Sequence, residues 1–511
     1  MARITHGGTS GVAPESTPSI AAIPGDTHKF GFMFPNLQAD ASNRLPESDE
    51  AVEALKRLGE AMVDDDEPDT LGCPPGKGDA DIPAAYTYLG QFIDHDITFD
   101  RTGTPVETIA ATGLRPSPDL EGLINSRTPV LDLDSVYSNP APREGLNGQL
   151  MKIGTVTRLN GTQRPVLPVP GKTDFNDLPR KPRSADASVD REALIGDPRN
   201  DENLIIAQLH LAFLKAHNKL ARTKSLDFVG SRRAMRQRYQ WMVLHDFLPR
   251  ICDRNVLNSI AAQGPNWRPG SDQQHFMPAE FAVAAYRFGH SMIRTRYDHN
   301  LNFSNPPTGL NLLFTFTALS GQLGNFDTLP DNWIIEWDRF LPLRGSRPQR
   351  TRALDPRLTE FTFRLQNTFG EPETGATPEA QRVAPKLAVR NLLRGYFLRL
   401  PTGQAVARAC EIPALENNSL LDALPTDALR AAAEPFKART PLWFYILAEA
   451  GNPKGPNGQH LGPVGSRIVA DTFWNLVKFS EDSILDANTK LDFHCFTLSD
   501  LIELASDDIA V

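Results

Sequence analysis

Cysteine is scarce in this chain. Cys73, Cys252, Cys410 and Cys495 are the four among 511 residues, and none stand in a CxxC pair. That excludes a disulfide framework and a cysteine-rich zinc site. Also lacking is any run of 18 or more apolar residues, so no membrane-spanning helix is expected. The N-terminal stretch "MARITHGGTSGVAPESTPSIAAIPGD" has no apolar h-region. A conventional signal peptide is therefore not expected, and the expected location is the cytoplasm, or outside the cell by export without such a peptide. Basic residues are in deficit, 53 Lys and Arg against 62 Asp and Glu, for a net charge of −9. No basic face for nucleic acid follows, and the negative excess mainly favours solubility. Strand-type alternation is rare and no internal repeat occurs, which leaves helices as the main element.

What is present supports that view. Residues 1–45, rich in Gly, Ser, Thr and Pro, read as an extended arm. No linker interrupts the chain after residue 45, so residues 46–511 read as one large unit. Helical apolar spacing marks 48–62, 83–96, 202–223, 231–249, 278–294, 386–400, 403–410, 440–449 and 466–478. The stretch "ENLIIAQLHLAFLKAHNKLART" (202–223) is apolar all round, as a buried helix would be. The acidic run "DDDEPD" (64–69) reads as a solvated loop. Segments 101–127, 156–195 and 301–385 are Pro-rich or polar and read as long loops. The expected fold class is mainly α, in a single large domain with long loops.

Four short motifs concentrate chemically able side chains. In "GQFIDHD" (90–96), helical spacing puts Gln91, Asp94 and His95 on one face and Asp96 on another. Alone, this suits a histidine between helix-capping acids, or a non-haem metal site. In "GDPRNDEN" (196–203), Arg199 and Glu202 stand i, i+3 where a helix begins, which alone suits capping and dipole matching. In "AAYRFGHSMIRTRY" (284–297), Gly289 before His290 lets a flat group or a backbone come close. Alone, His290 suits a core histidine. "KLAVRNLLRGYFLRLP" (386–401) carries Asn391 in an amphipathic stretch.

Taken in order, GQFIDHD, GDPRNDE followed by AFLKAHNKLA, YRFGHS and AVRNLLRG resemble the animal-type haem peroxidases of the peroxidase–cyclooxygenase superfamily, in the manner of a bacterial member, over roughly residues 85–400. The resemblance implies a mainly α, single-domain haem peroxidase fold with haem b buried between central helices. His290 is then the proximal ligand of the haem iron, and Asn391 accepts a hydrogen bond from its other ring nitrogen, which strengthens the imidazole as a donor. His95 is the distal base that moves the peroxide proton. Arg199 brings fixed positive charge to the polarising O–O bond, and Gln91 orders water or a halide. Asp94 and Glu202 match the carboxylates that form esters with haem methyl groups, and otherwise orient His95 and Arg199. Relatives with a third, sulfonium link have methionine after the second carboxylate. Asn203 stands there, so no such link and no strong chloride oxidation are expected.

The same resemblance makes "RTPVLDLDSVY" (127–137) a calcium loop. Thr128, Val130 through its carbonyl, Asp132 and Asp134 join Asp96, as hard calcium prefers oxygen ligands. The family usually has serine at the position of Asp134. His217 is expected to pack and hydrogen-bond, and Arg294 to contact a haem propionate or lie at the surface.

The implied activity is a haem peroxidase that uses hydrogen peroxide, through a ferryl intermediate, to oxidise small organic donors or iodide, bromide or thiocyanate. Its implied partners are peroxide and that donor. One alternative is a fatty-acid dioxygenase of the cyclooxygenase type. Those relatives have a radical tyrosine three residues before the proximal histidine, where this chain has Arg287, with Tyr286 a further ~100° round a helix. The other is a haem-binding or interaction protein with incidental activity, which would need no acid–base pair.

Overall fold

Where the apolar spacing is helical, the backbone is helical. The computed structural model describes residues 28–64, 78–99, 123–138, 142–159, 175–186, 189–268, 275–317, 323–359, 382–383 and 386–506. The principal helices are Asp49–Glu60, Ala85–Ile97, Leu204–Thr223, Phe228–Met242, Leu387–Phe397, Leu442–Gly451 and Pro463–Lys478. Strands among the described residues are two to five residues long. The fold is thus mainly α, a single domain with long connections, as expected.

Local chemistry sets the helix starts. Ser48 accepts from the Ala51 N–H, Asn203 from Ile206 (3.0 Å) and Asp227 from Gly230 (2.7 Å), each satisfying an amide that the helix leaves open. The Leu204–Thr223 helix is buried on nearly all sides. It packs against Ala85–Ile97 through Phe92 and Phe213, whose rings stack at 4.4 Å with Tyr239 edge-on to both. This stack fixes the spacing between the GQFIDHD helix and the helix that follows GDPRNDE.

Of the expected arm, residues 28–45 are described. His28–Gly31 pairs with Ile124–Asn125 on one side and Met277–Pro278 on the other. Next to it, the buried Glu280 carboxylate accepts from the Met33 and Phe34 N–H groups (2.8 and 3.0 Å). Of the acidic run, only Asp64 is described. It is buried against Arg352 and Arg357, contrary to the solvated-loop expectation, because two guanidinium groups compensate its charge.

The segment expected to be helical over 278–294 is not one α-helix. Glu280–Ala284 is a π turn and Ala285–Met292 a 3₁₀ helix, with Ala284 at φ −126°, ψ −72° between them. A change of helical pitch re-aims every side chain after it. In the 3₁₀ stretch residues three apart eclipse, so Arg287 and His290 share a face.

Candidate active site

The buried loop 196–202 is built around one carboxylate. Asp197 caps the Pro198–Asp201 turn by accepting from the Arg199 N–H (2.9 Å). It also accepts from Arg199 Nε (3.1 Å) and Nη2 (2.8 Å), and from Arg127 Nε (3.2 Å) and Nη2. Burial alone would raise its pKa, but Arg199 and Arg127 hold the carboxyl far below the usual range. Gly196 lets this loop lie against the Asp134–Tyr137 turn, since a Cβ there would sit 2.5 Å from the Ser135 carbonyl.

Arg199 is correspondingly engaged. Besides Asp197, its Nη2 donates to the carbonyls of His95 (2.9 Å) and Thr98 (2.8 Å), and its guanidinium lies 4.3 Å from the Phe99 ring centroid. It ties the C-terminal end of the Ala85–Ile97 helix to the loop. Sequence spacing did not reveal this use of Arg199, because Asp197 binds it through a turn rather than along a helix face.

His95 is buried. Its Nδ1 lies 2.8 Å from Asn200 Oδ1 and its Nε2 3.9 Å from Glu202 Oε1. Burial and the neighbouring Arg199 charge lower its pKa, so the imidazole is neutral near pH 7. Gln91 donates through Nε2 to the same Glu202 oxygen and accepts from Asn203 Nδ2 (3.2 Å). Asn203 thus caps its own helix and steadies Gln91. Asp94 accepts from Thr98 Oγ1 (2.8 Å).

Across from this helix, the 3₁₀ segment carries His290, whose Nδ1 is 3.1 Å from Asn391 Nδ2. Asn391 and His290 therefore meet as expected, but the sense of the bond is reversed. Arg287 Nη1 donates to Asn391 Oδ1 (2.6 Å) and leaves the amide NH2 facing the ring. The physical reason is that a guanidinium can only donate, so it claims the one amide oxygen. A half-turn of the amide, with Arg287 drawn back, gives the expected sense. Tyr286, one residue earlier, faces the other helix and donates to the Gly90 carbonyl (3.2 Å).

The two segments flank a solvent-open slot. Gln91, Asp94 and Thr98 line one side, and Arg287, Gly289 and His290 the other. His95 lies behind the first wall, towards Asn200 and Glu202. A Cβ built on Gly289 would meet no atom within 4 Å, so there is open space beside His290. An imidazole with open space next to it, and the Asp94 carboxylate opposite, fit a flat iron macrocycle that takes histidine as its axial ligand. A larger cleft, lined by Leu211, Trp337, Ile502 and their neighbours, contains no imidazole. The slot is therefore the site with chemical means.

The remaining assigned residues fall nearby. Asp96 is fully buried and accepts from Leu133 N (3.2 Å), Ser135 N (2.9 Å) and Ser135 Oγ (2.9 Å). Burial and the charge of Asp134 push its carboxyl up to about 7. Thr128 donates to Asp134 through Oγ1, and the Val130 N–H to the Thr128 carbonyl (2.8 Å). The Asp132 carbonyl accepts from Arg236 Nε (2.7 Å), and burial pushes its carboxyl up to about 6. Among the described residues, no three His, Cys, Asp or Glu side chains converge as a cation cage. His217 bonds Tyr137 Oη (3.0 Å) and the Gln149 carbonyl (3.1 Å), in the packing role expected. Arg294 is fully buried and donates to Asp79 (2.7 Å) and the Arg350 carbonyl (3.1 Å), so it is no surface residue.

The family model of the animal haem peroxidases matches residues 111–478, beginning after the Ala85–Ile97 helix. The chain is 24% identical to the peroxidasin homolog pxn-2 of Caenorhabditis elegans, over 78% of this chain and 29% of that protein. It is 28% identical to human thyroid peroxidase, over 69% of this chain and 38% of that one. The chain thus spans less than half the length of these relatives. Among solved structures, Peroxidase A of Dictyostelium discoideum superposes with a TM-score of 0.58 at 16% identity, over 88% of each chain. A fatty acid alpha-dioxygenase of Oryza sativa does so with 0.52 at 13%, over 90% of this chain and 78% of that one. The family match runs over more than two thirds of the sequence and contains both the loop of Arg199 and the segment of His290, and on that ground the chain belongs to the animal haem peroxidase family.

Proposed function

We propose that this protein reduces hydrogen peroxide at a haem ligated by His290 and oxidises small organic donors, or iodide, bromide or thiocyanate. The observation that carries this reading is a pair of imidazoles on facing segments, each held through Nδ1 by an asparagine, His95 by Asn200 and His290 by Asn391. At His95 such a partner leaves Nε2 as the nitrogen for chemistry, and at His290 it does so with the Asn391 amide turned to accept. Haem held by His290 would supply a redox-active iron for the two-electron reduction of peroxide. His95 Nε2 accepts the proton from peroxide and returns it to the departing oxygen, which leaves as water. Arg199 acts mainly by holding the His95 carbonyl and keeping the imidazole neutral. Two one-electron donors, or one halide oxidised by two electrons, complete the balance. Stopped-flow absorbance of the haem-loaded protein mixed with hydrogen peroxide tests this. A prompt change in the Soret band that a donor reverses is expected. An unchanged ferric spectrum would overturn the reading.

The dioxygenase alternative needs an oxidisable tyrosine on the face of His290. Arg287 occupies that face, and Tyr286 is turned towards Gly90.

Asp94 and Glu202 are proposed to form ester links to haem methyl groups during peroxide turnover. Glu202 must first release Gln91. After turnover, acid–organic extraction should leave haem on the protein, and Asp94→Asn and Glu202→Gln should each lower the retained fraction. Complete extraction from the wild type would remove the covalent link and leave the peroxide reaction standing.

Calcium is proposed beside Asp96. A buried acid, Asp96, and the half-buried Asp134 raise one another's energy and are relieved by a cation between them. The fitting donors are Asp96, Asp134, Thr128 Oγ1 and the Val130 carbonyl, with Asp132 at the rim towards Arg236. Calcium at ~1 mM should raise the melting temperature of chelator-treated wild type and not of Asp96→Ala. An equal shift in both would refute the site.

A further inference from the structure

Asn200 lies in the Pro198–Asp201 turn and is fully buried. Its amide bridges two histidines from different helices. Oδ1 faces His95 Nδ1 at 2.8 Å and Nδ2 faces His210 Nδ1 at 3.0 Å. We propose that Asn200, oriented by His210, is the positioning residue that sets the tautomer of His95.

The argument is one of donors and acceptors. An amide oxygen only accepts, so His95 Nδ1 must carry the hydrogen. A neutral imidazole has one hydrogen, so Nε2 then keeps its lone pair. At the other end, the amide NH2 only donates, so His210 Nδ1 must accept. His210 can do so because burial pushes its pKa down to about 3 and keeps it neutral. Its ring is fixed on the Leu204–Thr223 helix beside Phe92, centroids 5.9 Å apart.

A row of this kind has two self-consistent states. In one, every hydrogen bond runs from His95 towards His210. In the other, all are reversed, the amide is turned over, and His95 carries its hydrogen on Nε2, where it cannot take a proton. The charged groups around His95 are Arg199, Asp197 and Glu202 of the loop and Asp94 of its own helix. Among the described residues none of these bonds Nδ1, so Asn200, oriented by His210, decides between the states. The consequence for reaction rests on the reading of His95 as the peroxide base. The tautomer itself does not.

The test has two readouts. Haem-free protein labelled with ¹⁵N in histidine is compared by long-range ¹H–¹⁵N spectra, with the His95 signals assigned by their loss in His95→Gln. Wild type is expected to show a protonated Nδ1 and an unprotonated Nε2. Asn200→Leu should show a mixture, and Asn200→Asp, which still offers an acceptor, should restore the wild-type pattern. In haem-loaded protein, Asn200→Leu should slow the reaction with peroxide by about 10–100-fold, as loss of an outer partner commonly does. Oxidation of the donor should proceed at the wild-type rate, and Asp should recover the peroxide step. If Asn200→Leu does not fold, His210→Phe removes the far end of the row and should give the same mixture. A hydrogen on Nε2 of His95 in wild type, or wild-type tautomer and rate in both Asn200→Leu and His210→Phe, would overturn the proposal. Wild type inert to peroxide would instead overturn the peroxidase reading, and the spectra of haem-free protein still decide the tautomer.

Discussion

His95→Ala is expected to lower the second-order rate constant for hydrogen peroxide by about 10²–10⁴-fold, with haem content unchanged. That is a barrier increase of about 3–5 kcal/mol. The size follows from the surroundings of the ring. His95 is buried, kept neutral by burial and Arg199, and held at Nδ1 by Asn200. Of its neighbours, Asp94 is bonded to Thr98, Glu202 to Gln91 and His210 to Asn200. Haem retention follows because the ligand belongs to a different segment, at His290. The same substitution there should abolish iron ligation, so the two variants separate proton transfer from binding. Stopped-flow rates with pyridine haemochrome content check both. A His95→Ala protein that reacts with peroxide at the wild-type rate would remove the distal assignment.

Asp197→Ala should cost about 3–5 kcal/mol of folding stability, the usual loss when one partner of a buried ion cluster is removed. Asp197 serves two buried guanidinium groups and a backbone amide at once. Without it, Arg127 and Arg199 remain buried without their counter-charge, and the turn that carries Arg199 loses its cap. The effect has a pH signature. The folded carboxyl is held below its unfolded value of ~3.9. Its stabilisation is therefore fully present above that value and lost as pH falls through the folded one. The difference between wild type and variant should shrink in acid. Urea unfolding at neutral and acid pH measures it, and an unchanged midpoint at neutral pH would show that the two arginines find other partners.

The segment before His290 marks where reading by pattern stops. Residues 278–294 have helical spacing, yet the backbone passes from π to 3₁₀ there. An α-helical wheel would set Arg287 about 60° off the His290 face. The 3₁₀ pitch aligns them, and Arg287 then takes the oxygen of Asn391 and reverses the expected bond. Asp197, Asn200 and His210 left no legible signal. Each acts through a turn or between positions 10 to 105 residues apart, where no periodicity links partners. Asp132 followed the loop pattern, but its carbonyl takes Arg236 from another helix, which sequence neighbours could not indicate.

By itself the sequence determined most of the long helices, though not Arg254–Gln263 or Leu498–Ala505, which helix is buried on nearly all sides, and the order of the motifs that carry His95, Arg199, His290 and Asn391. Those properties are local: spacing of apolar residues, capping side chains and short runs of fixed residue types. Only the tertiary structure decided who bonds to whom among the buried polar groups. A buried donor or acceptor must be satisfied by whatever the packing brings to it. At this site that means Asp197 for two arginines, Asn200 between two histidines and Arg287 on Asn391, all partners set by the meeting of distant segments.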